Sequence, residues 1–199
     1  MRQKLIFATG NIGKLREVKE ILKEFPFDIV SMKEAGIDIE IEENGYSFKE
    51  NAVIKVEALR NFCDGIIIAD DSGLEIDALN KEPGIYSARY LGEDTSYEVK
   101  MNNLLDRMKD VPVEKRTARF VAAIAAYVPE HGMITVEGVI EGRIGYEIKG
   151  IYGFGYDPIF YIPERNCYSA ELLPEEKNKI SHRAVALHKL AEEFKKINL

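Results

Sequence analysis

The first thirty residues most constrain the fold, because their pattern is typical of a strand, a turn, a helix and a second strand. Leu5–Ala8 is a short apolar run, and the turn-forming residues Thr9–Asn11 follow it. Apolar residues then recur at helical spacing from Leu15 to Phe25, with charged residues between them. Asp28–Ser31 is typical of a second strand. This order predicts a parallel pair of strands within an α/β fold.

The remaining pattern predicts a mixed sheet flanked by helices. Ser47 with Glu50 three positions later is typical of a helix start, and Pro26 is expected to end the first helix. Ala118–Val128 is apolar on both faces, which indicates a central strand. No linker or repeat interrupts the chain, so residues 1–199 are expected to form one domain. Further strands are expected at Ile66–Ala69, Thr135–Arg143 and Ile159–Ile162. Further helices are expected from Thr95 or Ser96 to about Met108 and from Ile180 to Ile197.

Composition argues against several classes of protein. The 34 acidic and 27 basic residues give a net charge of -7, which disfavours sequence-independent nucleic-acid binding. No apolar stretch approaches the 18 residues or so of a membrane span, and Leu5–Ala8 is too short for the core of a signal peptide. Cys63 and Cys167 have no C-x-x-C spacing and indicate a reducing compartment. The expected location is the cytoplasm.

Two adjacent carboxylates, Asp70 and Asp71, follow the apolar run Ile66–Ala69, and Ser72 and Gly73 come next. Acids at the end of a buried strand suit a hard cation or an attacking water. Asp-Asp-Ser-Gly is also typical of a turn between two strands, and this interpretation is favoured for the segment alone. Because a strand alternates its faces, the two acids cannot both face one metal ion if they are extended. One of the two is then expected to be the working carboxylate, and the other to orient it or to bond the adjacent loop.

The loop between the first strand and the first helix is a candidate phosphate site. Helix N-termini present unpaired N–H groups and favour anions, and Lys14 adds a positive charge. The loop is not a P-loop, because Ala8 stands where that motif requires glycine and Leu15 where it requires serine or threonine. An ordinary turn with a solvated lysine is the alternative. The candidate phosphate contacts are Thr9, Gly10, Asn11, Ile12, Gly13 and Lys14.

Two later clusters are further candidates for binding a ligand. The glycine-rich segment 150–158 does not match the dinucleotide motif, and a strand follows it, which excludes that class of site. Phe154 lies between glycines and could stack on a base, although a packed aromatic bend explains it equally well. Lys177 offers a point charge for a phosphate, Arg183 offers a planar fork of donors, and His182 could bond a ligand edge or act as a base. The alternatives are a solvated lysine and a helix start at Ser181.

Together and in this order, the segments resemble the family of non-standard purine nucleoside triphosphate pyrophosphatases, the Ham1-like proteins. The resemblance extends from residue 7 to residue 183 and includes seven consecutive matches in Gly-Phe-Gly-Tyr-Asp-Pro-Ile. The matching segments are Thr9–Lys14, Glu42–Gly45 with Phe48–Ala52, Ala69–Leu74, Pro83–Arg89, Gly153–Phe160, and Lys177 with Ser181–Arg183.

The resemblance implies an elongated two-lobed mixed sheet flanked by helices, with the ligand cleft between the lobes. It also implies a homodimer that hydrolyses XTP, ITP and dITP to the monophosphate and pyrophosphate with Mg²⁺. Such an enzyme keeps deaminated purines out of DNA and RNA.

The resemblance further implies a role for each candidate residue. Glu43 and Asp71 are the expected metal ligands, with Glu42 and Asp70 in reserve, and Asp71 is the expected base. Phe154 is expected to stack on the purine, while His182, Arg183 and the backbone around Asp157 bind its edge. The remaining expected substrate contacts are Thr9, Gly10, Asn11, Ile12, Gly13, Lys14 and Lys177 at the triphosphate, with Ser72, Gly155 and Tyr156.

Two other functions remain as alternatives. A Maf-like nucleotide pyrophosphatase would prefer other bases, and the segments Gly153–Pro158 and Ser181–Arg183 disfavour it. A nucleotide sensor would bind without hydrolysis and would not need both Glu43 and Asp71 near the phosphates.

Overall fold

The fold is described from a computed structural model, which covers residues 3–199. No helix in this described part of the chain is long and apolar enough to cross a membrane. The strands are β1 Gln3–Ala8, β2 Phe27–Ser31, β3 Ile66–Ile76, β4 Thr117–Val128, β5 Gly132–Ile144, β6 Phe160–Ile162 and β7 Cys167–Tyr168. The helices are α1 Ile12–Ile21, α2 Phe48–Leu59, α3 Tyr97–Arg107, α4 Pro174–Ile180 and α5 His182–Lys196.

The seven strands form one sheet in the order β2-β1-β3-β4-β5-β6-β7. β1 runs parallel to both neighbours, with Leu5 opposite Ile29 in β2 and Ile66 in β3. β6 runs antiparallel to β5 and β7. The parallel pair predicted from the opening residues, the central position of β4 and the mixed sheet are therefore confirmed.

The turn expected at Ser72 and Gly73 is wrong, because β3 continues through both residues to Ile76. The side chains of Leu74 and Ile76 are fully buried, so the extended chain places two more apolar residues in the core. A strand that continues in this way keeps the two acids in extended backbone.

The first helix ends earlier than expected. α1 ends at Ile21, before Phe25, and the N–H of Leu22 donates to Val18. The helix start expected at Ser181 is confirmed, because the extended backbone of Ser181 precedes α5 and separates it from the short helix α4. His182 and Arg183 therefore begin a helix of their own.

The chain divides into two compact units. The first contains the described residues up to Asp71, with Ala122–Gly138 and His182–Leu199. The second contains Ser72–Val121 and Val139–Ser181.

In the first unit, the alternation of side chains along β3 separates two cores. Ile66 and Ile68 belong to the core that includes residues of α1 and α5, among them Val18 and Leu187. Ile67 and Ala69 belong to the core that includes Ala52 and Val56 of α2. The parity of a residue in β3 therefore decides which helices its side chain meets.

The second unit has a core of its own, built from β3, α3, β4 and the segment around β6. Leu74, Leu104, Phe120 and Phe160 are among its buried side chains. Tyr156 belongs to the same core, so the glycine-rich segment 150–158 is attached to it.

Candidate active site

The parity of β3 places the two acids on opposite faces. Asp70 follows Ile66 and Ile68 and contacts residues of α1 and α5. Asp71 follows Ile67 and Ala69 and contacts α2. The separation expected from an extended strand is present, and each acid has a different set of partners.

Asp70 lies in a buried group of ion pairs. Its Oδ1 is 2.5 Å from Lys14 Nζ, and its Oδ2 is 2.9 Å from Arg183 Nε. Arg183 also pairs with Glu17. Burial alone would raise the pKa of Asp70, but the charges of Arg183 and Lys14 outweigh it and hold the pKa well below the usual range. Asp70 is therefore an anion at neutral pH, and it is bonded to two cations.

The negative charge of Asp71 is less fully compensated by neighbouring groups than that of Asp70. Its Oδ2 accepts a hydrogen bond of 3.1 Å from Asn51 Nδ2, and its Oδ1 is 3.4 Å from Lys55 Nζ. The same ammonium lies 3.2 Å from Glu43 Oε2. Burial raises the pKa of Asp71, and Glu43 adds to the rise against the opposing effect of Lys55, Lys14 and Asn51. A buried carboxylate with increased proton affinity is suited to accept a proton.

The donor chemistry of this group fits Mg²⁺. That ion takes oxygen ligands and is commonly held by one or two carboxylates together with substrate phosphates. Glu43 and Asp71 are two such carboxylates, and they already converge on one cation, Lys55. Within residues 3–199, no group of three or more His, Cys, Asp or Glu side chains is placed to hold a metal ion.

The two reserve ligands are placed less favourably. Glu42 is exposed in the loop before α2. Asp70 faces the other side of β3, where Arg183 and Lys14 bind both of its oxygens.

The loop Thr9–Lys14 forms the start of α1. Asn11 is the N-cap, and its Oδ1 accepts a hydrogen bond of 3.1 Å from the N–H of Lys14. Thr9 Oγ1 accepts one of 3.0 Å from the N–H of Asn11. Both side chains therefore shape the turn, while Gly10 and Ile12 are exposed and Gly13 is half-buried. The Lys14 side chain is 16% exposed and reaches back to Asp70, and burial lowers the pKa of its ammonium despite that partner.

In the second unit, Asp157 organises the loop that carries Phe154. Its Oδ2 accepts from the N–H of Phe154 at 2.9 Å and from Lys177 Nζ at 2.6 Å, and its Oδ1 accepts from Ser169 at 2.7 Å. Gly153 is required here, because its φ is +76° and a Cβ would lie 2.3 Å from Asp157 Oδ2.

Lys177 belongs to this group, in contrast to the expectation that it binds the triphosphate. Its ammonium lies 4.8 Å from the centre of the Phe154 ring, besides its ion pair with Asp157. The reason is local: Asp157 is buried, and a buried carboxylate needs a cation.

Tyr156 has a structural role in this loop. Its hydroxyl donates to the carbonyl of Ser87 at 2.8 Å, and its ring meets the edge of Tyr97. The side chain is buried, and the expected contact of Tyr156 with the substrate stays a prediction. Gly155 and Ser72 are half-buried, and Ser72 lies within β3.

Arg183 also differs from the expectation, since its guanidinium was expected to face the edge of a base. It is 1% exposed and is bonded to Asp70 and Glu17. Two buried carboxylates on one side of the sheet require this cation, which fixes its position. His182, one residue earlier, is also buried.

Known proteins are similar to this sequence over nearly its whole length. The pattern that defines the Ham1 family matches residues 5–193. The chain belongs to the Ham1 family. It is 49% identical over 187 residues to the dITP/XTP pyrophosphatase of Bacillus subtilis, covering 94% of each chain. It is 44% identical to the dITP/XTP pyrophosphatase of Clostridium perfringens, covering 98% of each.

Solved structures agree with this membership. The Ham1 protein of Staphylococcus aureus is 38% identical and superposes with a TM-score of 0.88, over 98% of this chain and all of that one. The predicted resemblance and fold class are confirmed for this member of the Ham1 family.

Sequence reasoning missed three residues that shape the site of this Ham1-family chain. Asn51 and Lys55 lie four residues apart on α2, on the face that also carries Ala52 and Val56. Polar residues at apolar positions of a helix are a detectable signal, because burial of such groups requires partners. Glu17 has the same signal on α1, next to Val18.

Proposed function

We propose that this Ham1-family chain hydrolyses the deaminated purine nucleotides XTP, ITP and dITP to the monophosphate and pyrophosphate, with Mg²⁺ as cofactor. The chain is a nucleoside triphosphate pyrophosphatase, the activity in the names of its relatives, and those names support deaminated purine nucleotides as the substrates. The observation that carries the proposal is the convergence of Glu43 and Asp71 on the Lys55 ammonium.

In the proposed reaction, Asp71 accepts the proton of the water that attacks the α-phosphorus. Its raised pKa supports this role, because an anion with higher proton affinity is a better base. Glu43 and Asp71 would hold Mg²⁺, which supplies neutralisation of the phosphate charge and of the leaving pyrophosphate. Lys14 and the N–H groups at the start of α1 would bind the phosphates, since a helix start favours anions.

The second unit would bind the purine. Phe154 offers an aromatic face, and the Lys177 ammonium beside its ring is a donor for the 6-oxo group of hypoxanthine or xanthine. An amino group at that position, as in ATP, would face a cation with no acceptor. Polar mismatches of this kind discriminate by about 10⁴-fold or more. His182 and the backbone of Gly155 and Asp157 are the other proposed base contacts.

The test is incubation with Mg²⁺ and each of ITP, XTP, dITP, ATP and GTP, followed by an assay of pyrophosphate. We expect release from the first three. Orthophosphate as the first product would contradict cleavage at the α-phosphorus, and a preference for another base would favour the Maf-like alternative. Tight binding without any product would favour a sensor.

We further propose that residues 1–199 act as a single two-lobed catalytic domain, in the cytoplasm, as a homodimer. The low cysteine content supports a reducing compartment. Sedimentation equilibrium should give about twice the chain mass of 22.6 kDa, and a monomer at micromolar concentration would contradict the dimer.

A further inference from the structure

One buried side chain bonds both to Asp71 and to the loop that carries Glu43. Asn51 is completely buried in the first turns of α2. Its Oδ1 accepts a hydrogen bond of 2.8 Å from the N–H of Gly45, and its Nδ2 donates to Asp71 Oδ2 at 3.1 Å. An N–H needs an acceptor and a carboxylate needs a donor, so these partners fix which way the amide points.

The contact with Gly45 locates the loop that carries Glu43. A Cβ on Gly45 would lie 2.7 Å from Asn51 Oδ1 and 2.8 Å from Glu50 Cβ, so only glycine lets the loop approach the helix this closely. Glu43 is two residues earlier in the same loop. Glu43 Oε2 lies 3.2 Å from Lys55 Nζ, and this distance depends on where Asn51 holds the backbone of the loop.

The contact with Asp71 fixes the other carboxylate. Asn51 and Lys55 are one helical turn apart and take one oxygen of Asp71 each, at 3.1 and 3.4 Å. Two donors from one helix face define the plane of a carboxylate, which neither donor would do alone.

Glu50 provides an internal comparison. Its Oε2 accepts from the N–H of Tyr46 at 2.7 Å, so it holds the same loop one residue further along. It is exposed, and it bonds to Tyr46 in the loop and to Ser47 at the start of α2. Asn51 differs from it in burial and in the bond to Asp71.

We propose that Asn51 is a positioning residue that fixes the orientation of Asp71 and the separation of Asp71 from Glu43. This role rests on the proposed function. Its amide sets the two carboxylates toward one cation, with the acceptor half holding the Glu43 loop and the donor half holding Asp71. Residues that orient ligands in this way typically change metal affinity or activity by about 10- to 100-fold when they are replaced.

Two substitutions separate the two halves. Asn51→Asp keeps an acceptor for Gly45 but removes the donor to Asp71, so kcat for ITP at saturating Mg²⁺ should fall about 10- to 100-fold, with KM changed less than about threefold. Gly45→Ala pushes the loop off Asn51 and leaves the bond to Asp71. It should weaken Mn²⁺ binding, followed by electron paramagnetic resonance without nucleotide, by about tenfold, with a smaller change in kcat.

Glu50→Gln is the matched control, because it keeps an acceptor for Tyr46; kcat and Mn²⁺ binding should stay within about twofold of wild type. If Asn51→Asp does not fold, Asn51→Ala replaces it and should lower both kcat and Mn²⁺ affinity. The proposal is overturned if Asn51→Asp or Asn51→Ala retains wild-type kcat. It is also overturned if kcat, Mn²⁺ affinity and melting temperature fall in proportion in every variant, as in a purely structural role.

Failure of the proposed function gives a different result. In that case the wild-type protein would release no pyrophosphate from ITP or XTP. The Mn²⁺ measurements on Gly45→Ala and Asn51→Ala would then decide the role of Asn51 alone, and unchanged affinity in both would overturn it.

Discussion

Asp70 and Asp71 are consecutive residues of one strand, and they have opposite electrostatic environments. Asp70 contacts two cations, Lys14 and Arg183, and its pKa is held far below the usual range although it is buried. Asp71 shares a single ammonium, that of Lys55, with Glu43, and burial raises its pKa. The alternation of a β-strand is sufficient to produce this difference, since each face meets different helices.

The comparison distinguishes an acid whose surroundings suit a stabilising role, Asp70, from an acid whose surroundings suit chemistry, Asp71. A carboxylate with full compensation stabilises the fold and has little tendency to take a proton. A buried carboxylate with partial compensation costs stability and gains proton affinity, which is typical of functional sites. The following predictions test whether the two faces differ in this way.

The largest expected effect is on the Asp71 face. Asp71→Asn removes the proposed base and one metal ligand, so kcat for ITP should fall by about 10³-fold or more. The raised pKa means that the folded state disfavours the charged form above the unfolded pKa of about 3.9. The variant should therefore be as stable as wild type at neutral pH or more stable, as measured by urea denaturation. An active variant, or one that is strongly destabilised, would contradict the proposed difference between Asp70 and Asp71.

Asp70→Asn should have the converse effect. It leaves Arg183 and Lys14 without their shared anion, and removal of one partner from a buried ion pair costs about 3–5 kcal/mol in the free energy of unfolding. Because the folded-state pKa is lowered, wild-type Asp70 contributes this stability above pH ~4 and loses it as the pH falls further. The difference in the free energy of unfolding between wild type and Asp70→Asn, measured by urea denaturation, should therefore disappear at acid pH. A difference independent of pH would show that ionisation of Asp70 is not the cause.

A matched pair of glutamates tests the metal assignment. Glu43→Gln should raise the Mg²⁺ concentration for half-maximal activity at least about tenfold, because Glu43 shares Lys55 with Asp71. Glu42→Gln should leave it unchanged, since Glu42 is exposed one residue earlier. Equal effects of the two substitutions would mean that general negative charge in the loop, and not one ligand, attracts the cation.

How far the sequence could predict this site depends on the range of the interactions. The parallel opening strands, the N-cap at Ser47 and the alternation that separates Asp70 from Asp71 are local patterns, and the structure has all of them. The continuation of β3 through Ser72 and Gly73 to the buried Leu74 and Ile76 was not predicted, because Ser72 and Gly73 are typical of a turn. Local propensity gave way there to the burial of two apolar side chains.

The partners of Arg183 and Lys177 could not be read from the sequence. Arg183 meets Asp70 across 113 positions, and Lys177 meets Asp157 across 20. Both were assigned to the ligand from the chemistry of their side chains and from the resemblance, although Glu175 and Glu176 directly precede Lys177. The carboxylate that each cation binds in the fold lies far along the chain, so local sequence could not identify it.

The smallest predicted effect concerns Lys14, which touches the structural acid and is nevertheless proposed to bind phosphate. Burial lowers its pKa in spite of Asp70, so the folded state gains little from its charge. Lys14→Gln should therefore leave the urea midpoint nearly unchanged, since Asp70 keeps Arg183. It should raise KM for ITP by about tenfold, the value of one hydrogen bond to a charged group.

Lys19→Gln is the control for this prediction, because it lies on the same helix with a half-exposed side chain near Glu34. If Lys14→Gln destabilises the protein and leaves KM unchanged, Lys14 belongs with Arg183 as a structural cation. A raised KM at constant stability would instead assign the Lys14 ammonium to substrate binding, with Asp70 holding it in position.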